Sequence, residues 1–231
     1  MIEAEWWDYD SEQEWAAAVA GDIGFIIESA VDARDASLIA LPGGKALAPV
    51  FGLLAKQKLP WKKVTIIPTD DRLVAVDDER SKIRELARAF LPLGARVLPV
   101  VSAATDDYQM AGNAADARLR DLPWPPDLVL LGMGEDGGTA GLAAGPDLQA
   151  ALDAPKARRA IGLRPETGEP RVTLTRAAIL SARTIVVALT GQAKRDLLEG
   201  AIADGQSSKL PIGRVFAEAD QPVDIHWLGD A

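Results

Sequence analysis

Runs of apolar residues alternate with amphipathic stretches along most of the chain, and this alternation predicts five or six strands separated by helices. Continuous apolar runs at residues 37–41, 63–68, 128–131 and 184–190 are typical of strands that helices cover on both faces. Strands that alternate with helices in this way usually pair in parallel. We therefore predict an α/β fold: a single-domain open, mostly parallel sheet spanning residues 1–231, with helices on both faces.

The weaker patterns complete this prediction. Ser11 and Glu14 have the spacing of a capping box, so a helix is expected after Ser11, although Gly21 could interrupt it. Further helices are expected near 78–91 and 106–120, and another after Gly191. Weaker strands are expected at 2–9, 96–101, 169–175 and 223–228, and the last of these has the alternation of an edge strand.

The most informative stretch follows the apolar run at 128–131, where glycines recur between residues 132 and 141. Glycines at the end of a buried strand let the backbone approach a ligand and let its amides point at an anion. The same region contains Asp136 and Thr139. We therefore expect a small molecule to bind here.

Other polar groups follow neighbouring strands and are expected at the same edge. Gly43-Gly44 stands between a strand and a helix, a recurrent place for a phosphate, although most such turns only serve the backbone. Asp70 and Arg72 follow the strand at 63–68, where a carboxylate beside a guanidinium could bind a sugar phosphate or lie in a solvated turn. Lys194 lies in the first turn of a predicted helix, where a bound anion would explain a cation.

Composition excludes several classes of function. The formal charge of −9 argues against a surface for nucleic acid or anionic membrane. With no cysteine and one histidine, His226, the chain has neither a disulfide framework nor a histidine-rich metal centre. The acidic, aromatic start differs from a signal peptide, so we expect a cytoplasmic protein.

Five blocks in collinear order resemble the 6-phosphogluconolactonase family, within the group of sugar-phosphate isomerase and deaminase-like folds. They are LPGG, TDDR, DLVLLGMGEDGGTAG, EPRVTLT and LTGQAK. The resemblance covers nearly the whole chain. It implies hydrolysis of 6-phosphogluconolactone to 6-phosphogluconate in the pentose phosphate and Entner-Doudoroff routes, with no required metal or organic cofactor. The expected partner is this sugar phosphate, and the expected assembly is a monomer or a homodimer.

The resemblance also implies roles for individual residues. The resemblance implies catalytic roles for Asp70, Arg72 and Asp136, which match positions in the family's motifs. Asp71 stands where the family has Glu. The residues implied to contact substrate or its phosphate are Gly43, Gly44, Arg72, Ser81, Gly137, Gly138, Thr139, Arg171 and Lys194.

Two departures from the family pattern concern this site. Gly138 stands where the family has the histidine that serves as general base, and Lys82 replaces an asparagine after Ser81. Three hypotheses follow. A carboxylate, Asp70 or Asp136, could act on the water while Arg72 or Arg171 stabilises the oxyanion. The protein could instead bind sugar phosphates without turnover, or His226 could supply the missing imidazole.

Two other functions fit less well. An amino-sugar phosphate deaminase or isomerase would continue after the glycines with a different sequence from LAAGPDL. A dinucleotide fingerprint at Gly132, Gly134 and Gly137 would lie late in the chain, whereas that motif belongs in the first βαβ unit.

Overall fold

A computed structural model describes residues 2–230. The strands are β1 (Ala4–Tyr9), β2 (Ser37–Leu41), β3 (Val64–Pro68), β4 (Asp70–Arg72), β5 (Arg96–Val97), β6 (Leu128–Leu131), β7 (Ala160–Leu163), β8 (Arg171–Leu174), β9 (Thr184–Thr190) and β10 (Val223–Leu228). Seven of them form a parallel sheet in the order β1-β10-β9-β6-β2-β3-β5. The other three form an antiparallel sheet in the order β4-β8-β7.

Helices cover both faces of the parallel sheet, as predicted. They are α1 (Glu12–Arg34), α2 (Ala48–Leu54), α3 (Lys82–Phe90), α4 (Tyr108–Leu119), α5 (Leu148–Leu152), α6 (Arg176–Leu180), α7 (Gln192–Asp204) and α8 (Pro211–Phe216). One core cluster joins the sheet to α1, α2 and α3, and the other joins it to α4, α7 and α8. Strand β6 shows why its sequence is apolar throughout: Leu128 and Leu130 pack in the first cluster, and Val129 and Leu131 pack in the second.

Several predicted elements are confirmed. Strands β2, β6 and β9 have the predicted bounds. Helix α1 begins after Ser11, whose Oγ accepts a hydrogen bond of 3.2 Å from the amide of Glu14, and it continues through Gly21 without a break.

Other elements differ from prediction. Strand β10 is not an edge strand, because it pairs with β1 on one side and β9 on the other. The residues after β3, for which a ligand-binding group and a solvated turn were both left open, form the short strand β4, which joins the antiparallel sheet. Helix α3 starts at Lys82, four residues later than predicted, and β5 contains only two residues.

Among residues 2–230, no helix has both the length and the apolar character needed to cross a membrane.

Candidate active site

A cleft of about 280 Å³ opens at the carboxyl ends of the neighbouring strands β2, β3 and β6. This edge is where open α/β sheets commonly bind ligands. Its lining comes from the turn after β2, from β4 and β8, from the start of α3, and from residues 132–143 after β6, which we call the glycine loop. The lining residues are Pro42, Gly43, Asp70, Lys82, Gly132, Gly134, Asp136, Gly138, Thr139, Ala140, Gly141, Leu142, Ala143 and Arg171.

One side of the cleft carries Asp70, Lys82 and Arg171, which we call the charged wall. The Nζ atom of Lys82 lies 2.7 Å from Oδ1 and 2.6 Å from Oδ2 of Asp70. An Nη atom of Arg171 lies 3.9 Å from the same carboxylate. Asp70 is buried, with 2% of its side chain exposed. Both of its oxygens are therefore occupied by a cation of the protein.

Asp71 holds the start of α3 and so positions the charged wall. Its carboxylate accepts hydrogen bonds from the amides of Arg72, Lys82 and Ile83 and from the hydroxyl of Ser81. These bonds satisfy amides that have no partner within the helix. Burial raises the pKa of Asp71 above its ordinary value, although the hydrogen bonds oppose this rise. The delayed start of α3 follows from this cap.

The other side of the cleft is the glycine loop, which is held by its own backbone. The amides of Gly134, Gly137 and Thr139 donate to the carbonyls of Gly138, Gly134 and Leu142. The hydroxyl of Thr139 donates to the carbonyl of Gly132 over 2.8 Å. These three amides are directed into the loop and are therefore not free to bind an anion.

Two residues of the loop bear most directly on the chemistry. The Oδ1 atom of Asp136 accepts a hydrogen bond of 3.0 Å from the amide of Gly138. Its Oδ2 atom accepts no hydrogen bond from residues 2–230, and the side chain is exposed at the cleft. A Cβ atom at position 138 would lie 3.0 Å from Oδ1 and 3.3 Å from Oδ2 of Asp136. The carboxylate therefore borders the space that a side chain at position 138 would enter.

The loop and the charged wall are tied together at Gly141 and Thr173. Gly141 has a φ of +77°, and a Cβ atom there would lie 2.6 Å from Cβ of Asp70. The hydroxyl of Thr173 donates to the carbonyl of Ala140 over 2.6 Å. Gly141 is thus required by both its backbone conformation and its contact with Asp70.

The structure brings several of the predicted residues together. Gly43, Asp70, Asp136, Gly138, Thr139 and Arg171 all line the cleft. Gly137 belongs to the same loop, but it packs against Leu210 and its carbonyl accepts a hydrogen bond from Ile212.

Four other predicted residues do not line the cleft. Arg72 donates to the carbonyl of Arg80 over 2.7 Å and lies 3.5 Å from the carboxylate of Glu169. Gly44 donates its amide to Glu85 over 2.6 Å. The Ser81 hydroxyl donates to the Asp71 carboxylate.

Lys194 is half-buried in the first turn of α7, where the Asp230 carboxylate accepts a hydrogen bond from the Gln192 amide. An anion does lie at this helix end, but it belongs to the protein.

His226 does not line the cleft either. It is buried against α1, with Nδ1 2.8 Å from the hydroxyl of Tyr9 and Nε2 3.0 Å from Oδ2 of Asp22. The hypothesis that His226 replaces the missing imidazole is therefore wrong in this structure. Among residues 2–230, no group of three or more His, Cys, Asp or Glu side chains is arranged to hold a metal ion.

Sequence reasoning did not identify Lys82 as a lining residue of the cleft. Its replacement of an asparagine was the available signal. Thr173 was also missed, although it lies within the block RVTLT.

Fold and site together define a class: a parallel α/β protein with a small-ligand cleft at the carboxyl edge of its sheet. The family model described as glucosamine-6-phosphate isomerases/6-phosphogluconolactonase matches residues 10–227. The chain belongs to this family.

Individual relatives agree with this assignment. A 6-phosphogluconolactonase of Rhizobium meliloti is 34% identical over 95% of this chain and 96% of its own length. One from Pseudomonas putida is 35% identical over 92% of this chain and 88% of its own. The crystal structure of a 6-phosphogluconolactonase from Shewanella baltica superposes with a TM-score of 0.87 at 26% identity, covering 99% of this chain and 98% of the other.

Proposed function

We propose that this protein hydrolyses 6-phosphogluconolactone to 6-phosphogluconate in the pentose phosphate pathway. The relatives named 6-phosphogluconolactonase match over nearly the full length of both chains, which supports the reaction. The observation that carries the proposal is the composition of one cleft, which combines an open carboxylate, Asp136, with the cations Lys82 and Arg171. We further propose that residues 1–231 act as one cytoplasmic domain, as a monomer or homodimer, without a cofactor.

In the proposed reaction, Asp136 acts as the general base. A water molecule in front of Gly138 attacks the lactone carbonyl carbon, and its proton passes to Oδ2 of Asp136. Collapse of the tetrahedral intermediate breaks the bond between the carbonyl carbon and the ring oxygen, and the ring oxygen takes the proton from Asp136 to become a hydroxyl group. The carboxylic acid formed at the carbonyl carbon releases its proton to solvent, which gives the carboxylate of 6-phosphogluconate and leaves Asp136 ionised for the next turnover.

The surroundings of the two carboxylates favour Asp136 over Asp70 as this base. Both oxygens of Asp70 contact the ammonium of Lys82, and the side chain is buried. Asp136 retains one oxygen without a protein donor among the described residues, and that oxygen would lie 3.3 Å from a Cβ atom at position 138. In this proposal Asp70 positions Lys82 and Arg171.

The test is a coupled assay on freshly generated 6-phosphogluconolactone, with the spontaneous rate subtracted. Loss of a general base typically lowers the rate by about 10²–10⁴-fold, so Asp136→Asn should lower kcat by that factor. Glu135→Gln is the matched control, because Glu135 is an exposed carboxylate in the same loop that does not line the cleft. Equal effects of the two variants would refute the assignment of the base.

A second candidate function is binding of a sugar phosphate without turnover. The observation that favours it is that no histidine lines the cleft. If the wild-type protein does not exceed the spontaneous rate but binds 6-phosphogluconate in a calorimeter, the lactonase proposal fails and the binding function replaces it.

A further inference from the structure

We propose that Lys82 binds the phosphate group of the substrate together with Arg171. The identity of the ligand rests on the proposed function, whereas the anion-binding role rests on the charges and contacts of the cleft.

Lys82 is held with its ammonium inside the cleft. It is the first residue of α3, and its backbone amide is fixed by Asp71 over 2.8 Å. Its side chain passes close to Gly43, where a Cβ atom would lie 2.5 Å from Cβ of Lys82. At its end, Nζ is 2.6 Å from Asp70, yet 21% of the side chain remains exposed at the cleft. An ammonium has three donors, so it can contact a ligand while keeping Asp70.

The charge of the lining favours this second cation. The charged residues that line the cleft are Asp70, Asp136, Lys82 and Arg171, whose formal charges sum to zero. With a neutral residue at position 82 the sum becomes −1. A phosphate monoester carries about −1.5 to −2 charges at neutral pH, so it would enter a cleft of like charge.

Part of the backbone around the cleft is already engaged. The amides of Gly134, Gly137, Gly138 and Thr139 donate within the glycine loop. The amide of Gly44 donates to Glu85 on the side away from the cleft. Among the lining residues, the formal positive charge for an anion is supplied by Lys82 and Arg171.

A purely structural role for Lys82, as the counterion of buried Asp70, makes a different prediction. In that role, replacement of Lys82 would lower the affinity and kcat/KM equally for phosphorylated and unphosphorylated compounds. A phosphate-binding role makes the loss specific to phosphorylated molecules. The comparison of phosphorylated with unphosphorylated compounds therefore separates the two roles.

The experiment measures Lys82→Asn and Lys82→Met against wild type. A charge-assisted hydrogen bond to a charged group corresponds to about 10- to 100-fold in affinity. We expect the Kd for 6-phosphogluconate, measured by calorimetry, to rise by this factor. In the lactonase assay KM for 6-phosphogluconolactone should rise by a similar factor, and kcat/KM should fall much less for unphosphorylated gluconolactone than for the phosphorylated lactone.

Lys45→Asn is the matched control. Lys45 is an exposed lysine next to the same turn, but it lines a separate groove between α2 and α3. We expect its Kd for 6-phosphogluconate to stay near the wild-type value. An equal loss in the Lys45 and Lys82 variants would show a diffuse charge effect and would overturn the proposal.

A double variant covers the case in which Asp70, left with Arg171 alone, destabilises the fold. Asp70→Asn with Lys82→Asn keeps the net charge of the lining at zero, and it should still bind 6-phosphogluconate about 10- to 100-fold more weakly. If the folded double variant binds 6-phosphogluconate with wild-type affinity, the proposed role of Lys82 is wrong. It is also wrong if the single variants lose as much kcat/KM for gluconolactone as for 6-phosphogluconolactone. Because calorimetry needs no turnover, failure of the lactonase proposal leaves this test intact.

Discussion

The glycine loop and the charged wall face each other across one cleft, but different forces hold them in place. The loop is fixed by hydrogen bonds between its own amides and carbonyls, with Thr139 as its main side-chain anchor. The wall is fixed by buried side chains: Asp71 holds the start of α3, and Asp70 holds Lys82 and Arg171. The two sides meet where Gly141 lies against Asp70.

This difference bears on Gly138, which stands where the resemblance implies a histidine. A loop held by its backbone keeps its shape when a side chain is removed, so Gly138 leaves Asp136 in place. The wall depends on paired charges, so each of its members affects the others. Apart from replacement of Asp136 itself, we therefore expect substitutions at the junction of the two sides to have the largest effects and substitutions far from the cleft to have the smallest.

Among substitutions that leave Asp136 itself unchanged, Gly141→Ala should have the largest effect. The positive φ of Gly141 implies a strain of about 1–3 kcal/mol for alanine, and the new methyl group would overlap Asp70. A displacement of about 1 Å in a substrate-positioning group can cost about 100-fold in rate, and we expect such a loss in kcat/KM. Steady-state kinetics and urea unfolding measure the two effects.

Gly132→Ala is the control for this prediction. Gly132 lies in the same loop, and a Cβ atom there would have no neighbour within 4 Å. We expect this variant to retain most of its activity. Equal losses at both positions would show that the loop as a whole rejects side chains, and that the contact with Asp70 is not the cause.

Gly138→His should have the next largest effect, as a gain. An imidazole with a pKa near 6.5 is a better base at neutral pH than an ordinary carboxylate, and we expect kcat to rise about 10-fold. Asp136 must move slightly, since the new Cβ atom would lie 3.0 Å from its Oδ1. The profile of kcat against pH should gain a step near 6.5. A profile identical to wild type would show that position 138 does not face the reacting water.

Asp71→Asn should have a smaller effect, mainly on stability. An amide group cannot accept all the hydrogen bonds that the Asp71 carboxylate accepts at the start of α3. We expect the free energy of unfolding to fall by about 1–3 kcal/mol, with a several-fold loss in kcat/KM as Lys82 shifts. Ser81→Ala, which removes one of these bonds, is the milder comparison. A larger loss in the serine variant would contradict the capping role.

The sequence predicted the parallel sheet well because buried strands such as β6 have an unambiguous apolar pattern. It did not predict β4, because three polar residues gain strand structure only by pairing with β8. The position of β10 within the sheet was also not predicted. The local sequence of β10 does not encode which strands pair with it, and here β1 and β9 do so on its two sides.

Prediction of the site followed the same division. The ends of β2, β3 and β6 were identified because glycines and acids follow apolar runs, and these residues do meet in one cleft. Which side chain faces that cleft depends on distant partners. Arg72 forms an ion pair with Glu169, and Lys82 forms an ion pair with Asp70. Neither ion pair can be predicted from the local spacing of residues.

His226→Gln should have the smallest effect on catalysis. Its imidazole lies between Tyr9 and Asp22 beneath α1, and no atom of it lines the cleft. We expect kcat/KM to stay within about twofold of wild type, because the change is separated from the reacting groups, while the melting temperature falls as a buried polar contact is lost. If kcat fell in this variant and the melting temperature did not, His226 would have to reach the cleft in solution, and Asp136 would lose its place as the base.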